Sequence, residues 1–177
     1  MSEILAMFGG PRTINAPFRR YNPIGLEEVA AATEVISGGN LSPFLGSWEV
    51  DTEFGSFYGG PKVQEFERIA EQRFRVKHAV TVNSATSGLI AAVGAAGVEP
   101  GDEVIVSPWT MSASATSILW WNAVPVFADI EDETFNLNPD SIEANVTPYT
   151  KAVVVPDIFG HPADLDPIME IANNNGL

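Results

Sequence analysis

The residues best placed to do chemistry are Asn83-Ser84-Ala85-Thr86, a polar turn between two apolar stretches. The run before it, His78-Ala-Val-Thr-Val82, alternates apolar and polar residues and predicts a buried strand. The small-residue run after it, on to Ala96, is too long for a strand and predicts a buried helix. A strand, a tight turn and a helix start together make an anion site. The first amides of a helix lack internal partners, and the helix dipole adds positive potential there. Ser84 and Thr86 bring hydroxyl donors to the same place. A second reading is that Asn83 or Ser84 simply caps the helix. The residues alone leave both open.

Composition limits the other chemistries. The chain has 177 residues, length for one domain with a real core. It has no cysteine, which excludes disulfides, thiolate catalysis and cysteine-ligated metals. Its two histidines, His78 and His161, lack metal-ligand spacing, so no metal site is expected. A net charge of −14 argues against nucleic acid or an anionic membrane as partner. No apolar run reaches the roughly 20 residues of a spanning helix, and Met1-Ser-Glu-Ile-Leu5 lacks a basic signal-peptide start. A cytoplasmic protein is the expectation.

The elements that must position the turn follow from pattern. Residues 1–24 read as a proline- and glycine-broken arm whose Arg12, Arg19 and Arg20 are expected to be solvated. Leu26 to Ile36 has helical spacing and stops at Gly38-Gly39. Asn40 to Gly60 is long, irregular and aromatic, with Phe44, Trp48, Phe54, Phe57 and Tyr58; it reads either as a functional or interface loop or as rings folded back onto the chain's own core, and the residues leave both open. Gly60-Pro61 starts a helix with Val63, Phe66, Ala70 and Phe74 as its buried stripe.

Further strands are predicted at Glu103–Val106, Pro125–Ile130 and Ala152–Pro156. Between and after them come helices at Ser112–Trp121, at Asp140–Val146 behind Asn138-Pro139, and at Ile168–Asn174 behind Asp166-Pro167. Strands that alternate with helices predict an α/β fold, a mainly parallel sheet with helices on both faces. Ligands of such sheets sit at the carboxyl ends of strands, here Asn83–Thr86, Ser107–Met111 and Asp157–His161. Asn173 to Leu177 reads as a helix stop leading into a further strand, so the chain is expected to be the front part of a longer protein.

Six spaced blocks carry a resemblance: Gly60-Pro61-x-Val63-x-x-Phe66-Glu67, Ser84-Ala85-Thr86, Pro100-Gly101-Asp102-Glu103-Val104-Ile105, Pro125-Val126-Phe127-x-Asp129, Thr150-Lys151-Ala152 and Gly160-x-Pro162-Ala163-Asp164-x-Asp166. In this order they resemble the DegT/StrS family of pyridoxal-phosphate sugar aminotransferases, over roughly residues 20–177. The resemblance implies the incomplete large domain of the fold-type-I aminotransferase architecture: an arm and helix over 1–39, and a partial cofactor-binding domain over 40–177.

It also implies that Ala85 and Thr86, with Ser84 beside them, hold the cofactor's phosphate. Met111 stands where the family usually places an aromatic that stacks on the cofactor ring; a thioether can pack there instead, and Trp109 is the alternative contact. The family's cofactor-bearing lysine and ring-pairing aspartate fall beyond Leu177, which leaves no catalytic residue in this chain. Lys62, Lys77, Lys151, Asp129 and Asp157 match other places in the pattern. The implied reaction converts a keto-sugar, nucleotide-linked, to an amino-sugar with glutamate or glutamine as donor, in a homodimer. A sugar dehydratase of the same family and a non-catalytic module that binds a phosphorylated ligand are the alternatives.

Overall fold

The computed structural model describes residues 4–17, 19–39, 41 and 59–177. The chain falls into two compact units, Met1–Phe66 and Glu67–Leu177. The aromatic stretch from Asn40 to Gly60, apart from Leu41, Gly59 and Gly60, lies outside the described residues.

In the first unit, a short 3-10 turn at Ala6–Phe8 precedes helix α1, Leu26–Ser37. Helix α1 is capped by Glu28, whose Oε2 accepts the Gly25 amide at 2.7 Å. That bond holds the exposed Glu28 carboxyl below its usual range. Arg12, Arg19 and Arg20 are exposed. Helix α2, Pro61–Phe74, belongs to this unit as far as Phe66 and to the second from Glu67; it begins with its proline as predicted, and Lys62 pairs with Glu34 at 3.4 Å. The expected buried stripe of α2 is not buried. Phe66 and Phe74 are 62% and 74% exposed, because helical spacing marks which side chains share a face and not whether anything covers it.

The second unit is a three-layer α/β arrangement. It runs α3 (Ala85–Ala95), β1 (Glu103–Val106), α4 (Ala113–Leu119), β2 (Val124–Phe127), α5 (Pro139–Asn145), β3 (Thr150–Val154), a 3-10 turn at Ile158–Gly160 and α6 (Leu165–Asn175). The sheet order is β2-β1-β3, and both pairings are parallel. Alternate residues of β1 explain the layers. Val104 and Val106 face a cluster with Val93 and Ile118, below α3 and α4; Ile105 faces Leu137, Ile142 and Ile168, below α5 and α6.

The local signals mostly act where the sequence places them. Asn138 caps α5, its Oδ1 accepting the Asp140 and Ser141 amides, with Pro139 at the first helical position. Two more expectations need correction. Helix α6 starts earlier than predicted: Asp164, not Asp166, is its cap and accepts the Asp166 amide, so Leu165 joins the helix.

The second correction concerns His78–Val82, which forms no strand ladder among the described residues. Its donors go to side chains of α2 instead. Glu67 Oε1 accepts the Thr81 amide and hydroxyl, both at 2.7 Å, and Glu71 Oε1 accepts the Ala79 amide at 3.2 Å. Val80 is 82% exposed, so this stretch is not core. Helix α3 is likewise only partly covered, with Val93 its one buried residue.

Candidate functional site

The turn before α3 is held by a chain of small polar groups. Ser84 is the N-cap, and its Oγ accepts the Ser87 amide at 3.1 Å. The Ser87 hydroxyl donates to Asn83 Oδ1 at 2.6 Å and stands 3.0 Å from Ser84 Oγ, which therefore supplies the proton of that second contact. The cap and the anion site are thus compatible. Ser84 shapes the turn, while among the described residues the amides of Ala85 and Thr86 and the Thr86 hydroxyl have no partner. No acidic residue stands in the first turn to compete for that positive end. Ser87 was not singled out in the sequence, although its place three residues after the cap is where a capping partner stands.

Met111 belongs to the turn that leaves β1. Ser107, almost fully buried, fixes that turn by accepting the Trp109 amide at 3.0 Å. Thr110 Oγ1 and Ser114 Oγ meet at 3.0 Å across the start of α4. Met111 is 66% exposed, its thioether free to lie against a ligand. Trp109 is 50% exposed, and its ring stands 6.2 Å from that of Phe135 at an interplanar angle of 33°.

The packing of α3 on α4 relates these two turns. Trp121, just past α4, donates its Nε1 proton to the Ile90 carbonyl at 2.8 Å, and its ring lies against Gly94. Their C-terminal ends therefore lie together, and their N-termini, preceded by Ser84 and by Met111, face the same end of the unit. For Met111 that end is the carboxyl edge of β1, where parallel sheets bind ligands.

Lys151, second residue of β3, lies toward the opposite, amino edge, and Lys62 pairs with Glu34. Among the described residues no group of histidine, aspartate and glutamate is arranged to hold a metal. No helix of the described residues is long and apolar enough to cross a membrane.

Residues 50–177 match the model of the DegT/DnrJ/EryC1/StrS aminotransferase family. The chain belongs to that family. Among its relatives is the spore coat polysaccharide biosynthesis protein SpsC of Bacillus subtilis, 44% identical over 87% of this chain and 36% of that protein. Another is the L-glutamine:2-deoxy-scyllo-inosose aminotransferase of Streptomyces kanamyceticus, 41% identical over 75% of this chain and 30% of that one. The solved structure of NtdA from Bacillus subtilis with bound cofactor PMP superposes with a TM-score of 0.73, at 26% identity over 86% of this chain and 32% of that one. The chain thus spans about a third of the length of these relatives. The family and these neighbours imply pyridoxal-phosphate-dependent enzymes of this mixed helix and parallel-sheet fold.

Proposed function

We propose that the chain serves a pyridoxal-phosphate-dependent aminotransferase that converts a nucleotide-linked keto-sugar to an amino-sugar, with glutamate or glutamine as donor. One observation carries this reading: in a member of the aminotransferase family, the α3 amides of Ala85 and Thr86 stand without acceptors among the described residues, at the end that the Met111 turn also faces. An anion fits that arrangement, since it meets two backbone donors, the Thr86 hydroxyl and the helix dipole.

In this reading Ala85 and Thr86 bind the cofactor phosphate through their amides, and Ser84 keeps the turn open to it. Met111 lies against the cofactor ring. Bound pyridoxal phosphate supplies the electron sink for amino-group exchange. The residues of this chain bind and orient it, and none of Lys62, Lys77 or Lys151 is assigned to the chemistry.

The reading divides the chain into an arm and helix over 1–39 and cofactor-binding structure over 40–177. It also includes a homodimer and a cytoplasmic setting. The net charge of −14 supports a chain that binds neither nucleic acid nor an anionic membrane.

Thr86→Val tests the site without any turnover. It keeps the shape and removes the hydroxyl donor. Affinity for pyridoxal phosphate and for inorganic phosphate, measured by equilibrium dialysis, should fall by about 1–3 kcal/mol, the loss of one charge-assisted bond. Unchanged affinity would remove Thr86 from the site.

A further inference from the structure

We propose that Phe159 is a substrate-contacting residue, displayed at the carboxyl edge of the sheet by a turn that Asn136 holds in shape. Phe159 has φ 53° and ψ 20°, the left-handed region that disfavours a residue with a bulky side chain. Its ring is 82% exposed, so packing within this chain does not repay that strain. Glycine would fit the backbone better and lose almost nothing in burial. A position that is both strained and uncovered has its reason in something the ring touches.

The neighbouring residues are over-determined. Asn136 is 3% exposed, and both ends of its amide hold the turn: Nδ2 donates to the His161 carbonyl at 3.1 Å, and Oδ1 accepts the Ile158 amide at 3.1 Å. Phe159 lies between these two anchors. Asp157 Oδ1 accepts the Ala163 amide at 2.9 Å and closes the base of the loop.

The loop leaves β3, which pairs with β1 in parallel, Val154 beside Val106. It therefore emerges at the same edge as the Met111 turn. One turn braces both: Asn136 holds the loop after β3, and its neighbour Phe135 meets Trp109 after β1. An exposed aromatic ring at that edge suits the apolar C–H face of a sugar ring, the substrate class of the function proposed above, on which this assignment rests.

The test uses Phe159→Gly and Phe159→Tyr in the 177-residue chain, with UDP-, GDP- and dTDP-glucose as probes and affinities measured by saturation-transfer NMR. Phe159→Gly should raise Tm, through relief of strain, and weaken binding of the nucleotide-hexose tenfold or more. Phe159→Tyr should keep that binding. Pyridoxal phosphate affinity should stay within twofold in both. Unchanged hexose affinity in Phe159→Gly overturns the assignment, and so does a lowered Tm, which would make the ring a packing residue. Wild-type chain that binds pyridoxal phosphate but none of the three hexoses also overturns it, and leaves the cofactor site standing. Failure of pyridoxal phosphate to bind, with hexose binding lost in Phe159→Gly, supports Phe159 and sinks the cofactor reading instead.

Discussion

Replacement of Ile105 by alanine is expected to destabilise the chain by about 2–5 kcal/mol, read from urea unfolding. Ile105 has no exposed surface and sits on β1, the middle strand, with a strand on each side. Its side chain meets Leu137, Ile142 and Ile168, which come from the approach to α5, from α5 itself and from α6. These partners are anchored separately, so they cannot collapse together into the space left. The cost is then that of the lost apolar burial plus a cavity. Val80→Ala is the natural contrast. Val80 is 82% exposed, and its change should stay within about 0.5 kcal/mol. An Ile105→Ala loss as small as that of Val80→Ala would mean that the sheet is not packed on its α5–α6 face.

The same contrast shows what a sequence can and cannot tell. Val80 and Ile105 both belong to apolar stretches that read as strands. Periodicity reports where side chains would point along an extended backbone, and His78–Val82 has that pattern yet forms no strand among the described residues. It does not report which groups will take the backbone amides. For Thr81 and Ala79 those groups are the carboxylates of Glu67 and Glu71, residues that look like ordinary solvated helix positions.

Signals confined to a few residues were readable: the Asn138-Pro139 start of α5, the Pro61 start of α2, and the capped turn before α3. Where two local signals compete, as at Asp164 and Asp166, sequence alone does not rank them. The Asn136 fork was beyond sequence reasoning altogether. Its partners lie 22 and 25 residues away, and an asparagine in an acidic, turn-rich stretch is unremarked there.

The site shows the same division. Ser84, Ala85 and Thr86 are adjacent in sequence and act as one turn, so their chemistry follows from helix termini in general. Their placement beside the Met111 turn depends instead on how α3 seats on α4. Nothing in either helix sequence announces that Trp121, beyond the end of α4, sets the seating.

That dependence gives Gly94→Ala an effect out of proportion to one methyl group. A Cβ at Gly94 would stand 2.1 Å from Trp121 Cζ2 and 2.6 Å from two further ring atoms. The ring is partly buried and tied by its Nε1 proton to the Ile90 carbonyl, so it cannot swing aside without breaking that bond. Either α3 lifts from α4 or the bond is lost. Overpacking of this kind costs about 1–3 kcal/mol, and the hydrogen bond adds roughly 0.5–1.5 kcal/mol. Thermal unfolding should show the loss directly. Because α3 carries the Ala85 and Thr86 amides, the affinity for inorganic phosphate should fall with it, though neither residue is touched. Trp121→Phe in the Gly94→Ala background removes the ring atoms that collide, so the double variant should lose less stability than the two single changes added together. Strict additivity would mean that the indole is not what keeps residue 94 a glycine, and would separate the proposed phosphate seat from the helix packing described above.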